Sequence, residues 1–167
     1  LNFWLDSLGN SHSDSIIYDQ ALYFSTSDAH SGSKALEMRN AQNYTQKSMI
    51  FGGADLNGEG SVGYGFPILT PVSLPPTSFN FYYKFLPKGG DSAYATMQLF
   101  DSSGNVLGEA SVTIGGTIST YTPISVPVIY SQSGVPSFAS ISFSTAKAGG
   151  NVTLGTRFLV DDVSISN

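Results

Sequence analysis

Residues 77–101 read TSFNFYYKFLPKGGDSAYATMQLFD, and their residue pattern is the clearest indication of the fold class. In its first half aromatic residues alternate with polar ones, so an extended chain places four aromatics on one face: Phe79, Phe81, Tyr83 and Phe85. The second half alternates in the same way, and its apolar parity consists of Ala93, Ala95, Met97 and Leu99. Gly89-Gly90 between the halves can adopt the positive φ that a chain reversal needs. The stretch therefore predicts a β-hairpin at the centre of an antiparallel sheet.

The opposite parity of these two strands forms a polar face that is unusually rich in aromatic rings. It consists of Tyr82, Lys84, Tyr94, Thr96 and Gln98. Sugars offer C–H-rich faces that stack on aromatic rings and hydroxyls that pair with amide, hydroxyl and ammonium groups. These five residues are the predicted ligand-binding site, with a glycan or polysaccharide as the partner. The alternative is that this face packs under a loop.

The composition indicates one domain, residues 1–167, built from short strands. Aromatic residues make up 13% and charged residues 11%, beside 18 Gly and 8 Pro, a balance typical of strands joined by tight turns rather than of helices. Turn signals recur between about eight to ten alternating segments. The prediction is an all-β fold, a two-sheet antiparallel β-sandwich of the jelly-roll type.

Charge and residue usage exclude several classes of function. Seven basic residues against twelve acidic ones give a net charge of −5, and no segment clusters Lys or Arg, so no nucleic-acid partner is expected. Cysteine is absent, which rules out disulfides and thiolate chemistry. No apolar run reaches the roughly 18 to 20 residues of a membrane span, so no membrane insertion is expected.

A low-charge surface rich in Ser, Thr, Asn, Gly and Tyr resembles that of secreted bacterial β proteins. We therefore expect a secreted or cell-surface location, with any signal peptide removed or absent from this sequence.

No catalytic residue can be assigned from the sequence. The two histidines, His12 and His30, both lie in polar loop sequence, and no G-x-S-x-G motif is present. A glycoside hydrolase needs two carboxylates that flank the scissile bond, and no pair of acidic residues stands in a recognisable context. A non-catalytic role is the prediction.

The segment LVDDVSIS, residues 159–166, suggests a structural metal site. In an extended strand Asp161 lies on the same face as Leu159, Val163 and Ile165, so this otherwise apolar face contains one carboxylate. Asp162 points to the opposite face. A buried carboxylate needs a cation, backbone N–H donors or an arginine such as Arg157. One prediction is a Ca²⁺ ion with oxygen ligands from Asp161, Asp162, Asp28 and Asp6. The other is a hydrogen-bonded strand terminus without metal.

Three segments carry a family resemblance: AHSGSKALEMR (29–39), PTSFNFYYKFLPKGGDSAYATMQLFD (76–101) and LGTRFLVDDVSIS (154–166). Together they resemble the carbohydrate metabolism domain of secreted and surface proteins of Gram-negative bacteria. More distantly, the chain is similar to jelly-roll carbohydrate-binding modules attached to bacterial xylanases and glucanases. The resemblance implies a β-sandwich, and in such modules a structural Ca²⁺ often uses an Asp of a last-strand V-D-D-V motif, here Asp161 or Asp162.

The function expected from these observations is a non-catalytic extracellular carbohydrate-binding or adhesion module. The alternative is a structural spacer domain of a cell-surface protein. A glycoside hydrolase is the third hypothesis.

Overall fold

A computed structural model describes residues 4–5, 11–12, 23–40, 52–53, 61–67, 75–146 and 152–167. Within these ranges every regular element is a β-strand, and all paired strands are antiparallel. The strands form two large sheets, together with a small ladder between β1 (Trp4–Leu5) and β2 (Ser11–His12). The predicted all-β sandwich is confirmed. Over the same ranges no helix is long and apolar enough to cross a membrane.

The first sheet has five strands. Their spatial order is β10 (Ile118–Pro127), β7 (Ser78–Leu86), β13 (Arg157–Ser166), β4 (Ala35–Arg39) and β3 (Tyr23–Thr26). The second sheet has six strands. Their spatial order is β11 (Ile129–Tyr130), β9 (Val106–Ile114), β8 (Ala93–Phe100), β12 (Phe138–Ser144), β6 (Ser61–Pro67) and β5 (Gly52–Gly53).

The predicted hairpin between β7 and β8 is wrong, because the two strands belong to different sheets. β7 pairs with β10 and β13, whereas β8 pairs with β9 and β12. Gly89 and Gly90 do adopt positive φ values of 57° and 85°, and the Asp91 amide donates to the Lys88 carbonyl across 3.1 Å. The connection nevertheless carries the chain across the sandwich instead of back along the same sheet.

The apolar faces of β7 and β8 contribute to one core between the sheets. On the five-stranded side Phe79, Phe81 and Phe85 are fully buried. Phe143 of β12 reaches them from the other sheet and meets Phe81 edge-to-face, with 5.2 Å between the ring centroids. The six-stranded side contributes small residues to this core, namely Ala93, Ala95, Ala110 and Ala139. Together with larger side chains of the same sheet, such as Met97 and Leu99, they fill the space between the sheets, and each buried Phe contributes about 1.5–3 kcal/mol.

A β-bulge interrupts the last strand. The register of β13 against β7 shifts between Asp161 and Ser164, and Asp162 is left-handed with φ 48°. Asp161 pairs with Tyr82 on the outer face, and Val163 is 44% exposed. The expected continuous parity from Leu159 to Ile165 is therefore wrong, because the bulge changes which side chains face outward.

A buried polar network ties the β7–β8 connection to the segment before β13. The Asp91 carboxylate is 2% exposed and accepts hydrogen bonds from Thr153 Oγ1 (2.7 Å), Thr153 N (2.9 Å), Thr156 Oγ1 (2.5 Å) and Asn40 Nδ2 (3.0 Å). The donors are neutral, and they leave the buried carboxylate fully hydrogen-bonded.

Candidate functional site

The five predicted ligand-binding residues do not form one face. Tyr82 and Lys84 of β7 lie on the outer face of the five-stranded sheet, opposite in parity to its buried rings. The other three lie on the outer face of the six-stranded sheet, on the far side of the sandwich: Tyr94, Thr96 and Gln98. A hairpin would have placed all five residues on one face. Because the chain crosses to the other sheet after β7, they lie on two opposite faces instead.

The segment that follows β3 covers the part of the predicted site that lies on the five-stranded sheet. The His30 ring is stacked on Tyr82, with 3.6 Å between centroids, and Lys84 Nζ lies 2.5 Å from Asp28 Oδ1. Tyr121 donates its hydroxyl to the Asp28 carbonyl across 2.5 Å, and Lys84 Nζ lies 4.5 Å from the centroid of the Tyr121 ring. Burial and the nearby Asp28 charge raise the pKa of Tyr121 to about 12. On this side the face packs under a loop.

The same segment binds the paired aspartates of β13. Asp161 Oδ2 accepts the backbone N–H groups of His30 (2.7 Å) and Ser31 (3.1 Å), and its Oδ1 accepts the Asp162 N–H (2.8 Å). Asp162 accepts the Ser31 hydroxyl at 2.5 Å and lies 2.7 Å from His30 Nδ1. The Ser31 hydroxyl and the His30 ring lower the pKa of Asp162. The two carboxylates thus fasten this segment to the bulge in the middle of β13.

These residues do not by themselves make a cation site. The oxygens of Asp161 and Asp162 face N–H and O–H donors, and Asp28 is paired with Lys84. Throughout the described ranges, no three His, Cys, Asp or Glu side chains are grouped to hold a metal ion. Asp6 lies outside the described residues. The Ca²⁺ site stays a prediction that needs oxygen ligands from elsewhere in the chain.

Glu37 is a buried carboxylate that the sequence did not single out. It is 1% exposed on the outer parity of β4, where Arg157 donates from Nε (2.5 Å) and Nη2 (2.9 Å) and Arg39 donates from Nε (2.6 Å). Burial alone would raise its pKa, but the two guanidinium groups outweigh burial and lower it. Arg157 therefore pairs with Glu37, and Asp161 is hydrogen-bonded by backbone N–H groups instead of by an arginine.

The outer face of the six-stranded sheet is different in character. Beside Tyr94, Thr96 and Gln98, the paired outward positions of β12 and β9 carry mostly small hydroxyl residues: Ser144, Ser142 and Ser140, and Thr113, Ser111 and Glu109. On the next strand of the sheet, β6, the residues that pair with these three serines are Ser61, Gly63 and Gly65. We call the β8, β9 and β12 residues of this surface the Tyr94 face.

Three features define the chemistry of the Tyr94 face. Tyr94 and Gln98 are half-buried, so each retains exposed surface. Gln98 Nε2 donates to Glu109 Oε2 across 3.3 Å, which orients the amide. Thr96 Oγ1 is buried and has no hydrogen-bond partner among the described residues. The result is an aromatic ring and an amide on a hydroxyl-lined sheet surface.

Comparisons with known proteins identify the fold. No family model matches the sequence, and no curated protein matches it. A Bacteroides vulgatus protein, provisionally described as a glycoside hydrolase, is similar with a TM-score of 0.57 at 14% identity, over 86% of this chain and 76% of that chain. A Bacteroides thetaiotaomicron protein with the same description is similar with a TM-score of 0.56 at 15% identity, over 87% of this chain and 57% of that chain.

A third solved structure is a carbohydrate-binding module of the β-sandwich superfamily. It has a TM-score of 0.54 at 12% identity, over 87% of this chain and 52% of that chain. At such identities the likeness establishes the fold alone, and this chain spans little more than half the length of two of these three proteins. The distant resemblance to jelly-roll carbohydrate-binding modules is thus confirmed at the level of the fold. The more specific resemblance to a Gram-negative carbohydrate metabolism domain stays a prediction.

Proposed function

We propose that this chain is a non-catalytic carbohydrate-binding module whose glycan binds on the Tyr94 face. The observation that carries the proposal is that Tyr94 and Gln98 share one polar, hydroxyl-lined sheet surface. By contrast, Tyr82 and Lys84 are already engaged by His30 and Asp28. The fold is one that carbohydrate-binding modules also use, which supports the same ligand class.

The Tyr94 face suits a sugar in two ways. The ring of Tyr94 can stack on the C–H-rich side of a pyranose, which removes apolar surface of both partners from water. The Gln98 amide, held by Glu109, and the neighbouring serine hydroxyls can pair with sugar hydroxyls. Because the surface is an open sheet face, an extended polysaccharide chain fits it better than a small enclosed ligand. A secreted or cell-surface setting and an adhesion role belong to the same proposal.

Two other functions give different expectations. A spacer domain would bind no glycan at all. A glycoside hydrolase would need two carboxylates on one cleft, and Glu109 is the single carboxylate among the residues that define the Tyr94 face. We therefore do not assign hydrolysis to this surface.

Affinity gel electrophoresis with soluble polysaccharides, followed by a glycan array, tests the proposal. The wild-type chain should be retarded by at least one polysaccharide, and Tyr94→Ala should weaken that binding about tenfold. Tyr82→Ala is the matched control, because it removes the same side chain from the opposite sheet; its retardation should stay near that of the wild type. Thermal melts should confirm that both variants are folded. Absence of binding to every polysaccharide, or equal losses in the two variants, would refute the proposal.

A further inference from the structure

A separate open cavity of about 490 Å³ is lined by Pro75, Tyr130 and the segment that follows β11, residues 131–134. Tyr130 pairs with Gly108 on the inward parity of the six-stranded sheet, and its hydroxyl donates to the Pro76 carbonyl across 2.9 Å. Pro76 lies just before β7, which belongs to the other sheet. The cavity therefore opens at the margin between the two sheets, away from the outward-facing Tyr94.

The walls of this cavity are held in place before any ligand arrives. The backbone N–H groups of Ser131 (2.9 Å) and Gln132 (3.2 Å) both donate to the Leu107 carbonyl. Gly134 lies so close to Leu107 that an added Cβ would come within 2.8 Å of Leu107 Cδ2. A preformed loop of this kind loses little conformational entropy when it binds.

The aromatic wall is equally fixed. A Cβ on Gly108 would approach Tyr130 Cδ1 to 3.1 Å, so the edge of the ring packs against this glycine. Burial raises the pKa of the Tyr130 hydroxyl, in keeping with its hydrogen bond at the sheet margin. The ring is thus anchored at both its edge and its hydroxyl, and it also lines the cavity.

The lining has a definite chemical character. It combines an aromatic ring and a proline ring with the amide of Gln132 and the hydroxyls of Ser131 and Ser133, and none of the described lining residues is charged. Gln132 and Ser133 are exposed. An uncharged lining gives no counter-charge for a phosphate, a carboxylate or a cation, whereas an aromatic wall with amide and hydroxyl groups matches a polyhydroxylated neutral ring. The volume lies within the usual range of small-ligand sites, about 300–1,000 Å³.

We propose that this cavity is a second binding site, for a neutral sugar whose C–H face stacks on Tyr130 and whose hydroxyls pair with Gln132 and Ser133. The site goes beyond the proposed function, because it uses none of the residues of the Tyr94 face. It would accept a sugar unit at the sheet margin while a longer chain occupies the open face. Neither site requires the other to be filled.

Amide NMR spectra recorded during titration with glucose, galactose, mannose and xylose test this site. At least one sugar should shift the backbone resonances of residues 131–134 and the side-chain amide of Gln132. Ser133→Trp, which fills the cavity from an exposed position, should weaken that binding at least tenfold. Thr117→Trp is the matched control, because Thr117 is exposed in the turn between β9 and β10, and it should leave the shifts intact.

The two proposed sites can fail independently. Tyr94→Ala should leave the shifts at residues 131–134 unchanged, and Ser133→Trp should leave polysaccharide retardation unchanged. The second site is refuted if none of the four sugars shifts these resonances, or if the shifts persist in the Ser133→Trp protein.

Discussion

The imidazole ring of His30 lies nearly parallel to the phenol ring of Tyr82, with 3.6 Å between centroids and 12° between planes. The same imidazole lies 2.7 Å, through Nδ1, from the Asp162 carboxylate. A histidine expected in an exposed loop thus fastens that loop to two strands, β7 and β13. The same contact covers one face of the Tyr82 ring with an imidazole.

Replacing this ring should destabilise the fold. His30→Ala removes the stacking and the contact with Asp162, and we expect it to lower the free energy of unfolding by about 1–2 kcal/mol. His30→Phe keeps a ring over Tyr82 and should recover about half of the loss. Urea unfolding measures both, with Lys34→Ala as a control at an exposed position on the same segment. Equal losses for His30→Ala and His30→Phe would show that stacking contributes nothing.

Glu37 should make stability depend on pH in the acid range. Its pKa in the folded chain lies below the ordinary value of 4.5, because Arg157 and Arg39 outweigh the effect of burial. The unfolded chain therefore binds the proton more tightly, and stability is complete above pH 4.5 and lost as the pH falls through the folded pKa. Unfolding free energy measured from about pH 6 to pH 3 should fall less steeply in Glu37→Gln than in the wild type. Parallel curves would contradict this account.

The Asp91 network should contribute more to stability than an exposed turn aspartate. Asp91→Ala leaves the buried Thr156 hydroxyl without its acceptor and removes one of the acceptors of the Asn40 amide, and we expect a loss of about 3 kcal/mol in unfolding free energy. Asp101→Ala is the matched control. Asp101 accepts the amides of Ser103 and Asn105 in an exposed turn, so its replacement should lower the unfolding free energy clearly less than Asp91→Ala does. Chemical denaturation that ranks the two variants in the reverse order would be inconsistent with a buried network.

The predicted Ca²⁺ can be tested by melting. A cation present at a hundredfold excess over its dissociation constant stabilises the folded state by about 2.7 kcal/mol. Melting temperatures with Ca²⁺ and with chelator should then differ by several degrees, and the difference should vanish in the double variant Asp161→Ala, Asp162→Ala. If the wild type melts at the same temperature in both buffers, the metal prediction is wrong, and the two carboxylates only hydrogen-bond the segment at His30 and Ser31.

Sequence periodicity predicted which side chains face the core but not which strands pair. The alternation in β7 and β8 correctly placed Phe81 and Met97 inside. Alternation is the same whether two strands lie side by side in one sheet or face each other across a sandwich, so the pairing could not be read from it. Gly89 and Gly90 signalled a reversal, yet two left-handed glycines do not specify the sheet to which the chain returns.

In the candidate sites, too, groupings within one strand were predictable from the sequence, whereas contacts between distant segments were not. Tyr94 and Gln98 could be grouped from sequence because they share a parity on one strand, and they remain together in the structure. Tyr130 could not be connected with Pro75, because a cavity between sheet margins has no periodic signal. Glu37 and Arg157 are 120 positions apart, and only the ladder between β4 and β13 brings them into contact.

The position of β13 has a consequence for the order in which the chain folds. β13 lies between β7 and β4, so the five-stranded sheet consists of two separate ladders until this strand inserts. During synthesis the ribosome delivers β13 after every other strand described here. Until then β7 and β4 each keep one unpaired edge, and pairings over such long separations along the chain are slow to form, typically in about milliseconds to seconds. Insertion of β13 is therefore the step at which these two inner edges stop being available for pairing with another chain.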